Sequence, residues 1–301
     1  MELRELRVLV AIAEHGGVSR AAKVLHLSPS AVSHSLAALE ADLGVTLFHR
    51  LPRGMAPTEA GLAVLGPGRR ALREAEAVQA AVGAVQGLTT GRLTLVPARL
   101  FVAPIVELVA RFHARNPLVV TSLREPAAEN VIAAIVRSGE CEGGFMRSDL
   151  VPPDLQHTLV GRQTGAVVIP ADHPLAALRT IRPVDLAGVA MIAPQTTSPF
   201  RPFFDGVFGS DGIEAAVVAE SDHLETTVAM VRLGIGVAIA PVESASPILG
   251  EGAVVRPLEP AVTRPMSLVV RRESPLAPAA QAFWELAREL HGADDGGPTS
   301  A

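Results

Sequence analysis

The sequence contains little that would place the chain in a membrane or in an oxidising compartment. Cys141 is the one cysteine in 301 residues, so a disulfide framework is excluded and a reducing environment is indicated. No apolar run reaches the roughly 18 residues that would suggest a membrane span. The first ten residues are charged and periodic, and they lack the apolar core of a signal peptide. We therefore expect a cytoplasmic protein without a membrane partner.

Signals of catalysis are also scarce. The chain has no glycine-rich phosphate loop with a lysine, no serine elbow and no His-x-x-x-His spacing. The segment GIGVAIAP at 234–241 leads from a turn into a strand, whereas a nucleotide-binding loop leads from a strand into a helix. Glu140 and Glu142 flank Cys141, and neighbouring acids disfavour a reactive thiolate. We predict no enzyme activity, no catalytic residue, no cofactor and no metal site.

Positive charge is not in excess, because the formal net charge is −5. Residues 1–58 nevertheless contain six Lys and Arg against five Asp and Glu, while the remaining residues contain 20 against 26. This mild asymmetry permits DNA binding by the N-terminal part of the chain but does not demonstrate it.

The first 58 residues have the pattern of a winged helix-turn-helix domain. Apolar residues at helical spacing over 3–13 predict an amphipathic helix, and a second short helix follows. After a tight turn, Ser28 is a natural N-cap and Pro29 suits the first position of a third helix that runs to about Leu43. Two short helices joined by a tight turn are typical of the helix-turn-helix. Residues 45–58 combine β-type residues with a Pro-Arg-Gly turn and predict a two-stranded wing.

The third helix has two different faces. One face carries the apolar residues Val32, Leu36, Leu39 and Leu43, which we expect to pack on the domain. The other face is small and uncharged, which suits close approach to a major groove, and it carries Ser30, Ser33, His34, Ala37 and Ala41. The alternative is an ordinary solvent-exposed face with a solvated histidine.

A long helix is predicted after Thr58. Its small apolar residues recur at heptad spacing, and a narrow seam on a solitary helix implies a partner helix. We predict that this seam holds a dimer through Val78, Val82 and Val85. The LGPG segment at 65–68 is expected to interrupt and kink the helix, and the GLTTG segment at 87–91 to end it.

From Arg92 onward, short apolar strands alternate with helices, which predicts parallel α/β sheets. Ligands of open α/β sheets bind beyond the carboxyl ends of strands, near helix starts. Arginines and hydroxyl groups at such positions suggest an anion, most simply a carboxylate. In the alternative reading, each arginine pairs with a surface acid. The candidate ligand-binding residues are Arg99, Leu100, Phe101, Arg124, Arg147, Thr196, Thr197, Ser198 and Arg201.

Residues 1–65 resemble the DNA-binding domain of LysR-type transcriptional regulators. The segments SRAAKVLHLSPSAVS, LEADLGVTLFHR and TEAG occur in the family's order and at its spacing. The linker helix and the later segments VVIPADHPLA and VRLGIGVAIAP are similar to the effector-binding region, so the resemblance covers the whole chain. The chain differs from the common pattern at His34, Ala37 and Ala38, where basic residues are frequent.

The resemblance implies a transcription factor that binds promoter DNA as a homodimer or homotetramer and responds to a small-molecule effector, with RNA polymerase as a further candidate partner. It implies DNA contacts from the third helix and the wing, namely from Ser28, Pro29, Ser30, Ser33, His34, Arg50 and Arg53. The rival interpretation is a cytoplasmic small-molecule-binding module whose N-terminal helices serve only for dimerisation.

We therefore expect a multidomain α + α/β chain. Its parts are a winged helix-turn-helix at 1–58, a linker helix at 59–90 and an effector-binding domain at 91–292, followed by a disordered tail at 293–301. The effector-binding domain is expected to resemble periplasmic binding proteins. Its subdomain I covers about 91–162 and 266–292, and its subdomain II covers about 163–265.

Overall fold

The computed structural model describes residues 1–85, 89–98, 101–126, 129–209, 213–272 and 276–291, without the side chains of residues 79–85 and 129. The predicted tail at 293–301 lies outside these ranges. The elements of the N-terminal domain are α1 (Leu3–His15), α2 (Val18–Leu25), α3 (Pro29–Leu43), β1 (Phe48–Leu51) and β2 (Gly54–Pro57).

The N-terminal domain is the predicted winged helix-turn-helix. Ser28 caps α3 by accepting the N–H of Ala31 at 3.1 Å, and Pro29 occupies the first turn. Gly44 ends α3 with φ 68°, a left-handed conformation that glycine adopts without strain. Leu43 departs from the prediction, because at the last turn of α3 its side chain is 39% exposed instead of packed on the domain.

A single helix, α4 (Glu59–Val85), connects the N-terminal domain to the rest of the chain. The predicted interruption at 65–68 is wrong, since the helix runs through Pro67. Proline removes one backbone hydrogen bond there, but packing against α1 holds the segment in place. A Cβ on Gly68 would lie 3.5 Å from Leu6 Cδ2 and 3.6 Å from Leu9 Cδ2. This part of α4 therefore packs directly on the apolar face of α1.

The C-terminal domain begins with a strand at residue 91. Its elements are β3 (Gly91–Val96), α5 (Val102–Arg115), β4 (Val119–Leu123), α6 (Ile132–Ser138), β5 (Gly143–Arg147), β6 (Leu155–Pro170), β7 (Ala190–Ala193), α7 (Arg201–Gly209), β8 (Ala216–Glu220), α8 (Leu224–Arg232), β9 (Val237–Pro241), α9 (Val242–Ala245), β10 (Ala253–Pro257), β11 (Thr263–Arg271) and α10 (Pro278–His291).

These strands form two parallel units joined by long antiparallel strands. Within the described residues, the strand order is β4-β3-β5-β11-β6-β9-β7-β8, with β10 also paired to β6. Strands β3, β4 and β5 are parallel in one subdomain, and β7, β8 and β9 are parallel in the other. The predicted parallel α/β units are therefore present in both subdomains, and β6, β10 and β11 add antiparallel pairs that the sequence did not indicate.

Strands β6 and β11 connect the two subdomains. Each subdomain has its own buried core, with Phe112, Phe145 and Phe283 in the first and Phe204 and Phe208 in the second. The register of the β6–β11 pair shifts between Met266 and Ser267. The connection is thus a continuous but irregular ladder, and the space between the subdomains opens beside it.

Candidate functional site

The exposed face of α3 is the first candidate site. Ser28, Pro29, Ser30, Ser33 and His34 are all exposed on this face. The opposite face is anchored in the domain core by the buried residues Val32, Leu36 and Leu39. The outer residues are therefore held in place by the buried face, and their side chains are exposed to a partner.

The wing presents two exposed arginines. Arg50 lies on β1 opposite Met55, Arg53 lies in the connecting turn, and both are exposed. Met55 N–H donates to the Gly16 carbonyl at 3.1 Å, which docks the wing on the end of α1. A Cβ on Gly54 would lie 2.3 Å from the Gly16 oxygen, so only glycine permits this close approach.

The ends of α3, the wing and α4 meet at one peptide segment. Leu47 N–H donates to Glu40 Oε1 at 2.7 Å, and Thr58 N–H donates to the Leu47 carbonyl at 2.9 Å. Thr58 Oγ1 also donates to the Thr46 carbonyl at 2.8 Å and accepts the N–H of Gly61 at 3.0 Å, which caps α4. These contacts give a physical role to residues of the LEADLGVTLF and TEAG segments. Sequence reasoning singled out the segments but not the contacts.

A cavity of about 220 Å³ between the two subdomains is the second candidate site. Thr197 and Ser198, both predicted ligand-binding residues, lie in its lining. Every part of the C-terminal domain contributes: subdomain I, the crossing strands and subdomain II. The lining residues are Ala98, Pro126, Gln163, Ile192, Ala193, Pro194, Thr197, Ser198, Pro199, Phe200, Ser221, Asp222, Leu224, Thr227, Ile239, Ala240 and Arg264.

Two of the predicted arginines lie outside this lining, in ion pairs. Arg147 donates to both carboxylate oxygens of Asp149, at 3.1 and 2.6 Å. Arg201 donates to Asp205 at 2.9 Å and to Glu220 at 3.1 Å. Their positions match the alternative in which each arginine pairs with a surface acid.

The remaining predicted ligand-binding residues are also placed away from the lining or are not described. Phe101 is buried in the subdomain I core, Thr196 is exposed, and Arg124 is exposed beyond the end of β4. Arg99 and Leu100 lie outside the described residues.

Several lining residues were missed by sequence reasoning. Ser221 and Asp222 directly follow β8, so the strand-end rule that found Thr197 applies to them equally. Gln163 and Arg264 face each other across β6 and β11. The strand-end rule does not reach them, because each lies within its strand and not beyond its carboxyl end. The Arg264 guanidinium lies over the rings of Phe200 and Phe203, at 4.9 and 4.4 Å from their centroids.

Other features of the described residues bear on function. The Val78 side chain is 67% exposed on α4, while the side chains of Val82 and Val85 lie outside the described residues.

Burial, together with Glu142, raises the pKa of the buried Cys141 thiol to about 12, in line with an inert thiol. In the described part of the chain, no helix is long and apolar enough to span a membrane, and no cluster of potential ligands could hold a metal ion.

A winged helix-turn-helix joined by a long helix to a two-subdomain α/β domain defines a class of ligand-responsive DNA-binding regulators. Residues 3–62 match the family described as "Bacterial regulatory helix-turn-helix protein, lysR family", and residues 86–292 match "LysR substrate binding domain". The chain belongs to the LysR family. It is a DNA-binding transcription regulator with a substrate-binding domain.

Relatives are similar along the whole chain. The "Uncharacterized HTH-type transcriptional regulator YvbU" of Bacillus subtilis (strain 168) is 31% identical over 300 residues, which cover 98% of this chain and 100% of the relative. The "Transcriptional activator protein LysR" of Escherichia coli (strain K12) is 26% identical over 294 residues, 94% of this chain and 91% of the relative.

Two solved structures share the fold. The LysR family regulator CbnR has a TM-score of 0.69 at 24% identity, with 97% of this chain and 99% of that chain covered. A full-length OxyR variant from Pseudomonas aeruginosa has a TM-score of 0.75 at 22% identity, with 100% and 99% covered.

Proposed function

We propose that the chain binds promoter DNA as a homodimer or homotetramer, and that a small carboxylate in the inter-subdomain cavity regulates this binding. The observation that carries the DNA part is the exposed face of α3, whose opposite face is anchored in the domain core, together with the two exposed arginines of the wing. A structure of full-length CbnR with its target DNA is similar to this chain, with a TM-score of 0.58. Binding at a promoter also supports a cytoplasmic location, and RNA polymerase stays a candidate partner.

On the DNA, the hydroxyls of Ser28, Ser30 and Ser33 are proposed to contact phosphates or base edges. His34 has the longest side chain of the face and is proposed to read a base edge. Arg50 and Arg53 are proposed to contact phosphates or a minor groove. Because α3 supplies no cation to DNA, affinity should depend strongly on the wing and on oligomerisation.

The DNA part is tested with a gel-shift assay on the intergenic region upstream of the protein's own gene, at stated salt. A Ser33→Ala/His34→Ala double variant should lose binding while its oligomeric state is unchanged. The His113→Ala variant removes an exposed histidine from α5 and should bind like the wild type. Equal binding by the double variant would favour the rival function, a small-molecule-binding module whose N-terminal helices only dimerise.

For the effector, the lining supports a small molecule with a carboxylate. Thr197 and Ser198 offer hydroxyls at the segment that leads into α7, and Arg264 is the basic side chain of the lining. Asp222 is the acidic one, and its carboxylate accepts the Gln195 N–H at 3.1 Å. The remaining lining is largely apolar, which suits the body of a small organic acid.

The effector part is tested by thermal-shift screening of small carboxylic acids against their neutral amides. Acids should raise the Tm, and a Thr197→Val/Ser198→Ala variant should reduce the shift. Arg147→Gln is the control, since its guanidinium is paired with Asp149 outside the cavity. If the amides raise the Tm as much as the acids do, the site is not selective for anions.

The proposal includes no catalytic role for any residue. The family is one of transcriptional regulators, and the cavity lining pairs no nucleophile with a histidine. The predicted division of the chain at residues 58, 90 and 292 also stays a proposal, as does a dimer held by the seam on α4.

A further inference from the structure

A charged network joins three parts of the chain where α4 passes the C-terminal domain. We name it the joint, and its residues are Glu14, Arg69, Arg73, Glu140 and Glu142. Arg69 on α4 lies between two acids, with Nη2 3.7 Å from Glu14 Oε1 on α1 and Nη1 3.0 Å from Glu140 Oε1. Its side chain is only 13% exposed, so these contacts are made in a partly dehydrated environment.

The second pair of the joint is more deeply buried. Arg73 Nε lies 3.7 Å from Glu142 Oε1, and the two side chains are 18% and 11% exposed. Glu142 is fixed to β3, because its Oε2 accepts the Thr94 N–H at 2.6 Å and its own N–H donates to the Thr94 carbonyl at 3.0 Å. Burial raises the pKa of Glu142 and lowers the pKa of Arg73, so both charges are held at a desolvation cost.

The joint is not fully satisfied by its own acids. Among the described residues, Nε of Arg69, Nε and Nη2 of Arg73, and Nε of Arg271 are buried without a hydrogen-bond acceptor. Gly139, which has φ 72°, leaves space for the guanidinium groups of Arg73 and the neighbouring Arg271. A Cβ at this position would lie 1.9 Å from Arg73 Nη2 and 3.1 Å from Arg271 Nη1. A well-packed apolar contact would stabilise this interface at least as well as such charges do. A contact that must open reversibly is served better by charged groups, which water can solvate once they separate.

The joint is also connected to the cavity. Thr94, which holds Glu142, lies on β3, and Ala98 just beyond the end of the same strand lines the cavity. A displacement of β3 would therefore move Glu142, because two hydrogen bonds join Glu142 to the backbone of Thr94. On the other side, Arg69 contacts α1 of the winged domain directly through Glu14.

We propose that the joint is a releasable clamp that fixes the orientation of the winged domain relative to subdomain I and thereby regulates DNA binding. The regulatory part rests on the proposed function. In the clamped form, the α3 face of each protomer points in one direction, which favours two protomers reaching their half-sites together. Release lets the winged domain and α4 reorient together relative to subdomain I, because Thr58 and the packing of α1 still hold the winged domain on α4. Each protomer must then order this orientation again on binding.

The test measures a distance between spin labels in the full-length protein. Labels are attached at Lys23→Cys on α2 and Gln156→Cys on β6, both exposed positions, while the buried Cys141 stays unlabelled. Labelled chains are mixed with an excess of unlabelled chain, so that distances between protomers do not contribute. All samples carry Glu14→Gln, which leaves Arg69 and Glu140 as the pair under test.

The reference protein should give one narrow distance distribution. Arg69→Glu and Glu140→Arg should each raise the released, broad fraction by about tenfold, because each leaves a partly buried charge beside a like charge. The Arg69→Glu/Glu140→Arg double variant should restore the narrow distribution and the DNA affinity of the reference. Arg115→Glu breaks the Arg115–Glu289 ion pair within subdomain I and should leave the distribution unchanged.

Narrow distributions in both single variants, or a double variant as broad as the singles, would overturn the clamp. The measurement uses neither DNA nor effector, so it decides the clamp independently of the proposed function. Loss of DNA binding in the reference protein itself would count against the proposed function, and the distance distributions would still report on the joint.

Discussion

Replacing Gly61 by alanine should separate the linker helix from the wing. Gly61 is in the first turn of α4, and a Cβ there would lie 2.1 Å from the Leu47 carbonyl oxygen and 3.2 Å from Pro57 Cβ. The nearer contact is with backbone, so no side-chain rotation can relieve it. The first turn of α4 must therefore move about 1 Å away from the Leu47 carbonyl before the contact becomes tolerable.

That displacement determines the expected magnitude. It breaks or stretches the two hydrogen bonds that Thr58 donates to the Thr46 and Leu47 carbonyls. Each is worth about 1 kcal/mol, and the contact at the Leu47 peptide adds strain of about the same size. About 0.5–1 kcal/mol of this loss is offset, because alanine is more stable than glycine inside a helix. The winged domain should lose about 1–3 kcal/mol of stability.

Hydrogen exchange followed by mass spectrometry suits this prediction, because it reports stability locally in a multidomain chain. Peptides covering residues 44–62 should exchange about five- to 150-fold faster, which corresponds to 1–3 kcal/mol on the logarithmic scale. DNA affinity should fall as well, because the wing is held through the same segment.

Gly206→Ala is the matched control for the same substitution. Gly206 lies in α7, and a Cβ there meets nothing within 4 Å, so alanine should leave stability unchanged or raise it by up to about 1 kcal/mol. If Gly61→Ala exchanges like the wild type over residues 44–62, the close approach at Leu47 does not restrict this position and the reasoning fails.

Exposure and burial lead to three more predictions. Arg50→Gln and Arg53→Gln should each weaken DNA binding and lower the salt slope by about 1 per protomer for each phosphate that is no longer neutralised; unchanged slopes in salt titrations would remove the wing from the interface. With a thiol pKa of about 12, Cys141 should not react with a thiol reagent at neutral pH in the folded protein and should react once the protein is unfolded; rapid reaction in the folded state would contradict its burial. Val78→Glu should weaken the dimer in sedimentation, while Val184→Glu, at another exposed valine, should not; a dimer equally strong in both would argue against the seam on α4.

The winged domain could be predicted largely from the sequence, because its signals are local. The caps at Ser28 and Gly44 and the alternation of buried and exposed faces on α3 act over one or two helical turns. Each of these features can be recognised in a short window of sequence. Exposure of Leu43 escaped the prediction because the helix ends there and no neighbouring element covers its last turn.

The cavity was only partly predictable. Thr197 and Ser198 were found because they follow a short apolar strand, which is a local signal. Gln163 and Arg264 are about one hundred residues apart and meet only because β6 and β11 cross between the subdomains. Pairing over such a separation depends on the register of the whole sheet, which a local pattern does not encode.

The sequence by itself determined the order of domains and the uncharged outer face of α3, since each follows from neighbouring residues. Only the tertiary structure decided which charged side chains are already paired within the folded chain. Arg201 pairs with Glu220, which folding places beside it, and Arg69 joins α1 to the C-terminal domain across long stretches of chain. Charge pairing depends on distance in space, and that distance exists only once the chain has folded.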